Sequence, residues 1–206
     1  QAERMILADE GTEMAGLLRR AQLVRAGDWT GLLQLIETDR SPDMPLEEDL
    51  LDGTMRGWAL LGAGRASDAL AAFEGMAADE SLAPIVNYHL ALARALVGDY
   101  ETADSLMQKS EAGGHLLGLI SRVQILSQLE RRDEALALLD KVDGIDAEPQ
   151  LMALRQRLRD GQPVPFQVIA GPADGIAHLL LSFASALATS PDPEPLSLIH
   201  ARLAAW

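Results

Sequence analysis

The chain contains no cysteine. Disulfides, thiolate metal sites and cysteine nucleophiles are therefore excluded. Lysine is nearly absent as well. It occurs at Lys109 and Lys141 only, so the cationic side chains are otherwise arginines. Aromatic residues make up 4% of the chain, and Val, Ile and Thr are sparse beside Ala and Leu. That shortage disfavours sheets and favours helices. Long apolar runs are missing too. Crossing a bilayer takes about 18–20 apolar residues, and the longest candidate, 176–187, is broken by His178, Ser182 and Ser185. No membrane insertion is expected.

What is present is acid. The 206 residues carry a formal charge of −14. Such a surface repels phosphate backbones and anionic lipid, so nucleic acid is not an expected partner. It suits solubility, and it is compatible with a basic partner segment. With 48% apolar residues the chain can bury a core.

One phrase recurs along the sequence. It reads Ala26-Gly27-Asp28-Trp29, Ala63-Gly64-Arg65-Ala66, Val97-Gly98-Asp99-Tyr100 and Leu129-Glu130-Arg131-Arg132. Leu32, Ala69, Ala103 and Ala135 follow five residues after the glycine position, and Ile36, Phe73, Met107 and Leu139 follow four after that. Glycine can take the left-handed conformation that ends many helices. A polar residue then opens a second helix. A small residue lets two helices approach, and a large one a turn later fills the space between hairpins. Apolar residues at helical spacing predict first helices over 13–26, 45–63, 82–97 and 114–129, and shorter second helices over 30–38, 67–77, 101–110 and 133–141. Asp43 and the acidic Glu47-Glu48-Asp49 suit a helix start, and Pro84 suits a first turn.

The pattern changes after a further first helix over 149–160. Gln162-Pro163-Val164-Pro165-Phe166-Gln167-Val168 must be extended at its proline-flanked start. Helices over 173–189 and 194–205 follow, separated by Ser190-Pro191-Asp192-Pro193. Three parts are thus expected: helical repeats over 1–161, an extended linker over 162–172, and a helical hairpin over 173–206 that continues the stack.

These residues resemble the tetratricopeptide repeat. Its spacing of a small residue, a turn glycine seven later and an alanine five later is met by Gly57, Gly64 and Ala69, and again by Ala91, Gly98 and Ala103. The other units depart from it, with Val123 and Glu130 in the fourth and Arg20 and Leu32 in the first. The usual early aromatic is absent. The resemblance implies an all-α, right-handed α-solenoid of stacked antiparallel hairpins: four to five degenerate units plus a C-terminal helix pair. Trp58-Ala59-Leu60-Leu61-Gly62-Ala63-Gly64-Arg65, Val123–Glu130 and Asp174-Gly175-Ile176-Ala177 further resemble exported multi-repeat proteins of alphaproteobacteria. That likeness implies an interior fragment of a periplasmic scaffold; a cytoplasmic location is the alternative.

Chemical motifs are not evident. His89, His115, His178 and His200 have no metal-ligand spacing, and no nucleophile elbow or phosphate loop of the GxxxxGK type occurs. Gly62 and Gly64 lie at a helix–helix turn, not after the strand that a dinucleotide site needs. Asp174 reads as a helix cap. Asp140, Asp143, Asp146 and Glu148 surround Gly144 without calcium-loop spacing. The chain is expected not to be an enzyme and to hold no cofactor or metal. In the resembling repeats the first helices line a concave groove. On this chain that implies Trp58 and Leu61, Tyr88 and Leu92, and Gln124 and Gln128 as a surface for a protein or peptide partner. Homo-oligomerisation is the alternative, including insertion of segment 163–168 into its own groove or a neighbour's.

Overall fold

The computed structural model describes residues 15–40, 46–109, 116–145, 148–188 and 201–205, and these are helices, turns and one extended segment. Helix α1 covers residues 15–26. The others are α2 (Trp29–Asp39), α3 (Leu46–Gly62), α4 (Ala66–Ala77), α5 (Ala83–Leu96), α6 (Tyr100–Lys109), α7 (Leu116–Gln128), α8 (Arg132–Leu139), α9 (Pro149–Arg159) and α10 (Pro172–Ala188). Residues 201–204 are also helical. The described residues contain no strand. The expected N-cap Asp43, the spacer 190–193 and His115 and His200 lie outside the described residues.

One turn geometry recurs. Gly27, Gly64, Gly98 and Gly161 have φ of +67°, +76°, +88° and +69°, and Glu130 has φ +60°. In each case the left-handed residue donates its N–H to the carbonyl three back, and the next residue donates to the carbonyl five back. Gly98 reaches Ala95 at 3.0 Å and Asp99 reaches Arg94 at 2.9 Å; Glu130 reaches Ser127 at 3.2 Å and Arg131 reaches Leu126 at 2.9 Å. This is the Schellman closure, which satisfies carbonyls that a helix end leaves open. Glu130 performs it without a glycine. Gly161 closes α9 in the same way, although no second helix follows it.

The small and large residues of the repeated phrase are all inside. Leu32, Ala69, Ala103 and Ala135 are fully buried, as are Ile36, Phe73, Met107 and Leu139. Each of the first four accepts its place as the first helical donor, bonding back to Asp28, Arg65, Asp99 and Arg131.

The chain divides into two compact units, Gln1–Ala69 with Pro172–Trp206, and Leu70–Gly171. Within the second unit neighbours in sequence are neighbours in space: α5 packs on α6, α6 on α7, α7 on α8 and α8 on α9, and α5 also touches α7. Val123, Leu126, Ala135, Leu139, Ile145, Leu151, Leu158 and Val164 form one cluster drawn from α7, α8, the turn after α8, α9 and the extended segment. Buried charge ties three helices together. Asp104 on α6 is 1% exposed and accepts from Gln108 at 2.6 Å, from Arg122 on α7 at 2.8 Å and from Arg131, at the start of α8, at 3.2 Å.

Within the first unit α2 and α10 both pack on α3. The apolar face of α10, with Ile176, Leu179, Leu180 and Ala184 buried, is satisfied on α3. Gly175 allows the approach, because a Cβ there would overlap the Trp58 indole. Arg20, the departure from the small residue in the first repeat, is 8% exposed and bridges Asp52 on α3 at 2.8 Å and Asp39 on α2 at 3.2 Å.

Candidate peptide-binding face

The six residues assigned to a groove are not a free surface. Trp58 and Leu92 are fully buried, and Tyr88 is nearly so. Trp58 is covered by α10 at Gly175. Tyr88 sits edge-on to His89, with ring centroids 5.4 Å apart. Burial pushes its phenol up to about 12, while a hydrogen bond shared with Ser121 on α7 pulls the other way. These three residues are packing residues, and their assignment to solvent is corrected. The physical reason is volume. Trp58 fills the space under α10 at Gly175, Tyr88 reaches Ser121 of α7, and Leu92 is buried on α5 beside the small Ala91 and Ala93. Leu61 is half-buried.

Gln124 and Gln128 behave differently. Both amides lie on α7 and both are used to hold an extended stretch of backbone. Gln128 Nε2 donates to the Val164 carbonyl at 2.8 Å. The Val164 N–H donates to Ser127 Oγ at 2.9 Å. Gln124 Oε1 accepts from the N–H groups of Gln167 at 2.7 Å and Val168 at 3.1 Å. Four bonds thus join side chains of one helical face to main-chain groups of a segment about forty positions away. Residues 124, 127 and 128 share that face because they are three and four apart.

The segment alternates. Val164 is buried, Pro165 exposed, Phe166 half-buried, Gln167 exposed and Val168 half-buried. That is the period of an extended chain lying on a surface. Phe166 meets Tyr100 of α6 edge-on at 6.2 Å. Its course is antiparallel to α7, since later residues of the segment meet an earlier residue of the helix. Arg157 at the end of α9 also donates to the Pro163 carbonyl at 3.1 Å, which steadies the segment's start.

Ser127 was not singled out by sequence, although the spacing of the polar residues Gln124, Ser127 and Gln128 along one face of α7 is the signal that could have found it. Beside the segment's start lies an open recess of about 480 Å³ bounded by Ser127, Arg131, Arg132, Leu158, Gly161 and Pro163. In the first unit a more apolar recess of about 340 Å³ is bounded by Leu17, Val24, Met55, Ile176, Leu180 and Leu203. Among the described residues no cluster of His, Asp and Glu could hold a metal ion, and no helix is long and apolar enough to cross a membrane. Comparison with protein-family models, curated proteins and solved structures finds no match to this chain.

Proposed function

We propose that this chain is a helical-repeat scaffold of tetratricopeptide type that binds an extended segment of another protein on the face of α7. One observation carries the reading: Gln124, Ser127 and Gln128 already hold extended backbone through four hydrogen bonds. Main-chain bonds give such a face affinity for extended chain of varied sequence, and flanking pockets select the side chains. The turn geometry repeated at 27, 64, 98 and 130, each between two helices, supports a succession of hairpins. The charge of −14 favours partners with basic flanks. The solenoid's right hand and an exported, periplasmic setting belong to the same proposal and rest on the sequence resemblance.

The test is a fluorescence-anisotropy titration of labelled extended peptides with apolar residues at alternate positions, with and without flanking arginines. Saturable binding is expected, weakened by salt for the arginine-flanked set and abolished when Gln124→Ala and Gln128→Ala are combined. Binding that survives the double substitution would place the site elsewhere. Salt-independent affinity would remove the basic partner from the proposal.

The same hydrogen bonds favour a second reading, self-association, because a segment held through its backbone can be exchanged with that of a second copy. Light scattering over a concentration series separates the two; a strict monomer contradicts exchange.

A further inference from the structure

The face of α7 is occupied, and what occupies it describes what it takes. Segment 163–168 presents Val164, Phe166 and Val168 toward the helices and leaves Pro165 and Gln167 outward. Its prolines stiffen the extended form before it binds, which lowers the ordering entropy lost on seating. From Val164 to Gln167 an extended chain spans about 10 Å, whereas one turn of α7 rises about 5.4 Å. The segment therefore crosses α7 obliquely and reaches Tyr100 on α6. Val164 is fixed in the core cluster. Beyond it the hold is lighter: Phe166 and Val168 are half-buried, and Gln167 and Val168 are held by the single oxygen of Gln124.

We infer that segment 165–168 is an internal ligand that gates the α7 face, and that the outside partner is a proline-containing extended segment with an apolar residue at every second position, which displaces it. The inference rests on the scaffold reading and adds its regulation. Val164 stays seated as the hinge on Ser127 and Gln128, while 165–168 leaves and frees the Gln124 end of the face for the partner. A partner thus sees a site whose apparent affinity is reduced by the fraction of time the internal segment is home. Anything that loosens 165–168 strengthens binding without touching the site.

The probe is a labelled synthetic peptide of residues 165–170. It is titrated into the full wild-type chain, into Pro165→Gly combined with Phe166→Ser, and into that pair with Gln124→Leu added. Neither loosening substitution alters Val164 or α7, and unchanged far-UV circular dichroism checks the fold. The loosened chain should bind the probe about tenfold tighter than wild type, the factor expected when the internal segment is seated roughly nine-tenths of the time. Adding Gln124→Leu, which removes the acceptor of the Gln167 and Val168 N–H groups, should abolish binding. Equal affinity for wild type and loosened chain would overturn the gate and leave the scaffold reading standing. No binding to the loosened chain, with its 167 and 168 amides shown by hydrogen exchange to be released, would overturn the scaffold reading itself. Dimerisation of the loosened chain would give the face to a second copy and overturn the separate partner.

Discussion

At the scale of single residues, the left-handed turn positions offer a clean comparison. An L side chain in that conformation costs about 1–2 kcal/mol. Glu130 bears that cost at φ +60°, where the equivalent positions use glycine. Glu130→Gly should therefore raise stability by about 0.5 kcal/mol, the relief of strain being partly offset by added freedom in the unfolded chain. Gly98→Ala, with φ +88° and open space around its Cα, should lower stability by about 1 kcal/mol through backbone strain alone. Urea denaturation reads both, and opposite signs are the expected result. Tyr88 gives a second residue-scale prediction. Its phenol is raised from 10.0 to about 12 by burial. Below pH 10 folded and unfolded chains both keep the proton, and stability is unaffected. Above it the unfolded chain loses its proton first, so stability falls between pH 10 and 12, by roughly 2 kcal/mol. Tyr88→Phe should abolish that part of the alkaline loss, visible as the difference between the two denaturation curves. Parallel curves would contradict the burial of the hydroxyl.

At the scale of helices, charge and shape each fasten particular pairs. Asp104 is a buried carboxylate shared by α6, α7 and α8. Asp104→Ala leaves Arg122 and Arg131 without it and should cost about 3 kcal/mol, below the upper range for buried pairs because both guanidiniums reach water. Exposed pairs such as Arg65 with Asp68 should cost well under 1 kcal/mol by the same thermal or urea assay. Gly175→Ala inserts a methyl group into the Trp58 indole and should lower stability by about 1–3 kcal/mol through overpacking of α10 on α3. Much at this scale was legible in the sequence. The helix bounds were readable to within a few residues because turn glycines and apolar spacing are local signals. The burial of Ala69 with Phe73, and of Ala103 with Met107, followed from the same phrase. What was not legible was partnership. Nothing local marks α10 for α3, since Gly175 meets Trp58 only through the fold. Trp58 is buried for that reason, whereas Tyr88 and Leu92 are buried on α5, which packs on α6 and α7; Gln124 and Gln128 bond to the extended segment because amides taken out of water need polar partners.

At the scale of the whole chain, the stretch after Gly161 is what departs from repetition. It gives the second unit its extended segment on α7 and the first unit its covering helix on α3. Both are contacts between residues distant in sequence, so their formation carries a larger loop-closure entropy than the neighbouring helix pairs do. The α7 face proposed for a partner is thereby filled from within, and the proposed activity depends on how firmly. The measurement that bears on this most directly is amide hydrogen exchange at Val164, Gln167 and Val168. Their N–H groups donate to Ser127 Oγ and Gln124 Oε1, so all three should be protected in the native chain. Gln124→Ala should release Gln167 and Val168 while leaving the helical amides of α7 protected. Exchange of all three in the wild type at the rate of an unstructured peptide would contradict the seated segment and the binding face built on it.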